Sequence, residues 1–385
     1  MHMARLAWSL AALVAIGATV CVSTVASAGP VCSCVPRPRF DFNADGKVDL
    51  IRSGPTEIRV DLLDGSAIVG GGSFPNGGGS LVLKAVGMLD ADEHSDFISQ
   101  GNGTARVTFV NTAGTGIGGT LFLADGGGAW RLAGVANLNG DAIDEILFEG
   151  TGPATGAMRI ANISSGSPVF SYLATGGGIW SYVLAADLDG DGEQDLLFRG
   201  AGAANGVTRV NRSGGIANVD FLPQGGGAWV LKAAGDLDGD GIDDLVDVPN
   251  LASLGHDRVR VFDSAGSGNP SATGFVPNGG GFFTLKTLGD FTGDGAKDLA
   301  YDSPNSFRIV AMNGVDPAAI LFPPNGGGAF TLRRMGDTNG DGKSDLISTN
   351  AAGDVWIQVT GATGTTLVAR LAPPRVIPGR GLRIF

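Results

Sequence analysis

The sequence predicts an all-β chain folded as a seven-bladed β-propeller of four-stranded blades, and three observations predict it. An aspartate-rich nonapeptide of the form DxDxDGxxD recurs seven times, starting at Asp41, Met88, Asn137, Asp187, Asp236, Asp290 and Asp337. The spacings are 47, 49, 50, 49, 54 and 47 residues, and regular self-similarity at that period marks an array of supersecondary units. A glycine triplet recurs six times in fixed register with the nonapeptide. Glycine supplies 65 of the 385 residues, against a usual share of about 7%, which favours turns and short strands over helices.

Each good nonapeptide gathers oxygen ligands on a tight loop. In the fourth, Asp187, Asp189, Asp191 and Asp195 hold positions 1, 3, 5 and 9, and Gly192 at position 6 allows the sharp turn. All-oxygen donors on an adaptable loop suit Ca2+, which takes six to eight oxygens in irregular geometry. The EF-hand is excluded by position 12, where Arg52, Phe198, Tyr301 and Ser348 stand in place of its bidentate Glu, and only Asp247 is acidic. Strand-like residues follow position 9, as in Leu196–Leu197–Phe198. The loop therefore joins two strands.

Five loops keep both the ligands and the glycine. They are Asp41 with Asn43, Asp45 and Asp49; the Asp187 loop; Asp236 with Asp238, Asp240 and Asp244; Asp290 with Thr292, Asp294 and Asp298; and Asp337 with Asn339, Asp341 and Asp345. Two loops are degenerate. The second has Met88 at position 1 and Glu93 at position 6, and the third has Asn137, Asn139, Asp141 and Glu145 with Ala142 at position 6. Turn chemistry alone accounts for Asp and Gly in a loop, but not for carboxylates at positions 1, 5 and 9 together.

The second motif sets the blade boundaries. Gly77–Gly79 with Leu81, Gly126–Gly128 with Trp130, Gly176–Gly178 with Trp180, Gly225–Gly227 with Trp229, Gly279–Gly281 with Phe283 and Gly326–Gly328 with Phe330 each place an apolar residue seven before position 1. One strand fits between that residue and the loop, and three more follow, as in Asp195–Phe198, Val207–Val210 and Ala217–Leu222. Four strands per repeat is a propeller blade. Seven loops with six triplets suit a closed ring, six of whose junctions are covalent. The missing strand of the first blade is expected from both Cys34–Phe40 and Gly379–Phe385, with Pro36 and Pro38 confining the former to an edge. The alternating aromatics are expected in the inter-blade core, and the triplets on the face opposite the loops, kept free of side chains by crowding near the ring axis.

The N-terminus reads as an export signal. Met1–Arg5 carries one positive charge, Leu6–Val20 is apolar, and Ala26–Ser27–Ala28 forms an AxA site, so residues 1–28 are expected to be removed. Nothing later is long and apolar enough to span a bilayer as a helix. A secreted protein meets millimolar Ca2+ and an oxidising medium. Cys32 and Cys34 are too close in sequence for an easy mutual disulfide, which leaves pairing with another chain or a free state.

Formal charge is −12, and 17 of the 38 acidic residues lie in ligand positions of the five complete loops. No basic patch suggests nucleic acid. No GxSxG, HExxH or CxxC motif occurs, and Gly114, Gly116 and Gly119 match GxGxxG without a βαβ context. His94 and His256 are expected at the surface.

DLDGDGEQDLLFRG at Asp187 and DTNGDGKSDLI at Asp337 resemble FG-GAP/VCBS-type repeats, over nearly all of the mature chain. That family is similar to the integrin α-subunit head, so the resemblance implies seven blades with calcium loops between the first two strands of some of them. Exported bacterial proteins with these repeats are the nearer likeness, and mushroom lectins of seven similar blades a more distant one. A scaffold does not determine function. The expectation is an exported, calcium-binding, non-enzymatic propeller for recognition or adhesion, of glycans or cell-surface ligands. Adhesion to a single protein partner and calcium-assisted polysaccharide degradation are the alternatives.

Overall fold

A computed structural model describes residues 39–212, 218–250, 254–263 and 269–361, and the backbone of 364–371 and 383–384. All of these fall within one compact unit, Pro38–Phe385. The expected signal segment, Cys32, Cys34 and Cys34–Pro38 lie outside the described residues.

Seven four-stranded antiparallel sheets follow one another in chain order. Blade 5 is representative, with strands Trp229–Gly235, Asp244–Pro249, His256–Val261 and Ala272–Pro277. The first strands of successive blades contact one another and so line the ring's centre. The fourth strands lie outermost, and Asp316–Leu321 of blade 6 exposes five of its six residues. In blades 2 to 7 the first strand carries a register shift at one repeated place, such as Leu231/Ala233 and Leu332/Arg334, and a bulge there strengthens local twist. Beyond the strands, the regular structure includes two 3-10 turns, Gly152–Ala154 and Gly202–Ala204.

The first blade is completed by the tail. Arg383–Ile384 pairs antiparallel with Leu50–Ser53 in the place that the first strand fills elsewhere. Phe40 is in a turn, so the expected N-terminal contribution to that blade is corrected at its described end. Phe40 serves another purpose, its ring lying 3.9 Å from the guanidinium of buried Arg334.

The core is divided by junction. Seven buried apolar clusters each draw on two neighbouring blades, including one that joins Val48, Leu50 and Leu63 of blade 1 to Ile347, Val355 and Ile357 of blade 7. Each blade shares one cluster with each of its two neighbours and could cover neither face alone, so stability comes from stacking. The loops are also bonded in a ring. The N–H of position 8 donates to the position-1 carbonyl of the preceding blade in all seven cases, from Ser95 to Asp41 at 2.7 Å through Ser344 to Asp290 at 2.5 Å, and Val48 to Asp337 at 2.7 Å closes the circle.

Candidate functional site

The nonapeptides lie where the sequence places them, between first and second strands. The position-1 carboxylate is the hub of each complete loop. Asp187 accepts from Gly190 and Gly192 at 2.7 and 2.9 Å, Asp236 from Gly239 and Gly241 at 2.6 and 2.9 Å, Asp290 from Gly293 and Gly295 at 2.5 and 2.9 Å, and Asp337 from Gly340 and Gly342 at 2.6 and 2.8 Å. Asp41 accepts from Asp45 and Gly46. The position-5 carboxylate accepts the N–H of position 7, as Asp240 does from Ile242 at 2.9 Å. Position 6 is left-handed, with φ of +81 to +93° in the five glycines. Glu93 and Ala142 hold the same conformation at +74 and +68°, so the degenerate loops keep the turn at a strain that glycine avoids.

Position 9 has a task of its own. Asp49, Asp96, Asp195, Asp244, Asp298 and Asp345 are fully buried. Asp244 accepts the N–H of Leu237 at 2.8 Å with one oxygen and that of Phe262 at 2.9 Å with the other. Asp49, Asp298 and Asp345 repeat the pattern. Asp96 does so in the second loop, which lacks a position-1 carboxylate. The residue clamps the loop start to the end of the third strand, whatever the loop holds.

These carboxylates are unfavourably placed as bare anions. Burial, opposed by the backbone N–H bonds and reinforced by neighbouring carboxylates, pushes Asp49 and Asp244 up to about 7 and Asp298 to about 6. Burial likewise raises Asp345 to about 6, against the hydrogen bonds from Thr338 and Thr360. In two loops three carboxylate oxygens converge within 4.8 Å, from Asp187, Asp189 and Asp191, and from Asp236, Asp238 and Asp244. The donor set, hard oxygens from short side chains on a backbone-braced loop, fits a divalent cation such as Ca2+. Asn43, Thr292 and Asn339 stand at position 3 of the other complete loops.

The opposite face is built from the triplets. All three glycines of every triplet are left-handed, with φ between +60 and +93°. The preceding residue caps this turn. The side chain of Asn278 accepts from Gly281 at 3.1 Å and its carbonyl from Phe283 at 3.0 Å, and Asn76, Asp125 and Asn325 do the same. The middle glycines, such as Gly226 and Gly280, have no atom near the place of a Cβ. Crowding at the axis is therefore not what excludes side chains there. Backbone handedness is.

The aromatic residues after the triplets are partly withheld from the core. Phe330 is buried, but Trp130, Trp180, Trp229 and Phe283 are half-buried. Each half-buried ring meets an exposed ring from the outer strand region of its own blade. Trp130 lies 5.7 Å from Tyr172, Trp180 5.7 Å from Phe221, Trp229 5.8 Å from Phe275 and Phe283 6.1 Å from Phe322. An arginine of the third strand backs the row, with Arg159, Arg258 and Arg308 about 5 Å from Trp130, Trp229 and Phe283. The histidines differ from expectation. His94 is buried, and the His256 ring packs against Trp229 at 5.3 Å and edge-on against Phe275 at 4.8 Å. Asp247 lies outside the metal loop, in a buried ion-pair cluster with Arg258 and Arg260. At the junction of blades 4 and 5 a cleft of about 320 Å³ opens on Trp229, Gln224, Asn205, Asn250 and Arg199.

The exposed rings and the arginines are not singled out by the sequence reading, though the signal is present. Phe122, Tyr172, Phe221, Phe275 and Phe322 each stand four before a triplet, and Arg59, Arg106, Arg159, Arg209, Arg258 and Arg308 each precede Val or Ile.

No family model matches the sequence, and no curated relative matches it. Solved structures do align with the chain. A lectin of Agrocybe aegerita, described as recognising non-reducing terminal N-acetylglucosamine, aligns at TM-score 0.66 and 16% identity over 89% of this chain and 96% of that one. A dihydro-heme d1 dehydrogenase, NirN, aligns at 0.49 and 14% over 89% and 76%, and Hsv2 of Kluyveromyces marxianus at 0.48 and 10% over 87% and 99%. At 16% identity the likeness to the lectin is one of fold.

Proposed function

We propose that this chain is an exported, calcium-stapled, non-enzymatic propeller of the FG-GAP/VCBS kind that recognises glycans on its triplet face. One observation carries the reading: four consecutive blades, 3 to 6, each present a paired aromatic platform with an exposed outer ring, Tyr172, Phe221, Phe275 or Phe322, at 52 to 59% exposure. Sugar C–H faces stack on such rings, and Asn205, Asn250 and Gln224 supply hydrogen-bonding groups in the cleft beside Trp229. Equivalent weak sites used together raise avidity by about 10²–10⁴ on a multivalent surface. The lectin of the same fold supports the idea that this architecture serves sugar recognition. No helix among the described residues is long and apolar enough to cross a membrane.

The test is retention of the mature protein on a broad glycan panel in saturating calcium. Retention that free sugar competes away, and that Trp229→Ala or Phe275→Ala weakens, is the expected result. Absence of retention on every glycan, with capture by one protein partner instead, overturns the glycan reading in favour of a protein adhesin.

A further inference from the structure

One of the two loops with aspartate at all four ligand positions, the Asp187 loop, already holds a cation belonging to the chain. Arg212 directly follows the third strand of blade 4, Val207–Asn211, and its side chain is 7% exposed. Its Nη1 donates to Asp195 Oδ2 at 3.2 Å and lies 3.4 Å from Asp189 Oδ2, so it bridges positions 9 and 3 of the loop. Its Nε donates to Asp220 Oδ2 on the outer strand at 3.0 Å, which anchors the guanidinium in this pose. The register is exact enough to compare blades. Position 10 pairs with Asn211 here, and with Asp61, Arg260, Val310 and Gln358 in blades 1, 5, 6 and 7. One residue further on, those blades carry Leu62, Val261, Ala311 and Val359 in place of Arg212. Blade 3, whose loop is degenerate, carries Asn162, and its amide reaches Glu145 Oε1 at 2.7 Å.

We infer that Arg212 is a built-in counter-ion that closes the Asp187 loop to Ca2+, so that four of the five ligand-complete loops hold exchangeable metal. The inference rests on the calcium reading above. A guanidinium stays charged at any working pH, and here it occupies lone pairs of two of the four carboxylates that a divalent ion would need. An incoming Ca2+ meets a like charge within a few ångströms, or must break the three contacts that hold Arg212 in place. Blades 1, 5, 6 and 7 impose no such competition, because the corresponding side chain is apolar. The Asp187 loop is expected to bind Ca2+ more weakly than those four by about tenfold or more. Blade 4 thus keeps its loop geometry independently of calcium.

Equilibrium dialysis against radioactive Ca2+, at a concentration that saturates the tight class, tests this on the full mature protein. Wild type should bind four ions and Arg212→Val five. Asp189→Asn should leave the wild-type count at four, while Asp238→Asn lowers it to three. A wild-type count of five, a loss of one ion in Asp189→Asn, or four ions in a folded Arg212→Val overturns the assignment of Arg212. Zero ions in wild type overturns the calcium reading itself, and is distinguishable from those outcomes.

Discussion

The N–H of Val48 donates to the carbonyl of Asp337 at 2.7 Å, and this bond joins residues 289 positions apart to complete the circle of seven loop-to-loop bonds. The other six link blades that are also joined covalently. At this junction the further ties among the described residues include the apolar contacts of Val48, Leu50 and Leu63 with Ile347, Val355 and Ile357, buried Arg334, which donates to the carbonyl of Asp49 and lies against the Phe40 ring, the bond from Gly65 N–H to Thr338 O at 2.6 Å, and the pairing of Arg383–Ile384 within blade 1. Removing the tail from Gly379 onward should therefore lower the melting temperature and broaden the transition, because Leu50–Ser53 loses its inner partner. Calorimetry of the truncated chain checks this, and an unchanged melt contradicts it.

The clamp at position 9 separates architecture from metal. Asp96→Ala leaves the N–H groups of Leu89 and Val110 buried without acceptors. At about 1–3 kcal/mol for each orphaned donor, the loss should be about 2–6 kcal/mol, although the second loop is not a complete site. Asp240→Ala, at an exposed position 5, should cost little in chelator and abolish the calcium-dependent stabilisation contributed by its loop. Denaturant melts of both variants, with and without calcium, separate the two roles.

Acidity should act in a defined direction on the metal-free protein. Burial holds Asp96 at about 8 and Asp49 and Asp244 at about 7, all above the unfolded value of about 3.9. Between those limits the folded state binds more protons than the unfolded one, so stability falls as pH rises from about 4 to 8. Saturating calcium, which favours the ionised carboxylates of the complete loops, should flatten that fall. A melting temperature in chelator that rises across this window contradicts the assignment.

Handedness rather than space sets the middle glycine of each triplet. Gly226 has φ of +67° with nothing near its Cβ position, so Gly226→Asn should be tolerated better than Gly226→Val, by about 1–2 kcal/mol. Equal losses would point to crowding instead. Since the triplet and the metal loop lie at opposite ends of the first strand, neither variant should alter calcium affinity.

The repeat made much of this legible. Loop position, strand count and ring closure follow from two motifs at fixed spacing, because each motif needs a backbone conformation that few residues adopt. Side-chain environment was less legible. His256 reads as incidental, and only folding places it against Trp229 and Phe275. Arg212 carries no local signal, since its meaning depends on which carboxylates lie across the blade from it. Position 9 reads as a ligand equal to the rest, whereas its burial and double backbone bonding give it a structural role that spacing does not encode.

The central claim is that the carboxylate loops of blades 1, 5, 6 and 7 are held by a divalent cation in the folded protein. Calorimetric melting of the mature chain in millimolar calcium and in chelator tests it most directly, because a ligand that binds only the native state stabilises by mass action. The account predicts a higher melting temperature in calcium, with a shift that grows with calcium concentration. Superimposable melts in calcium and chelator would contradict it.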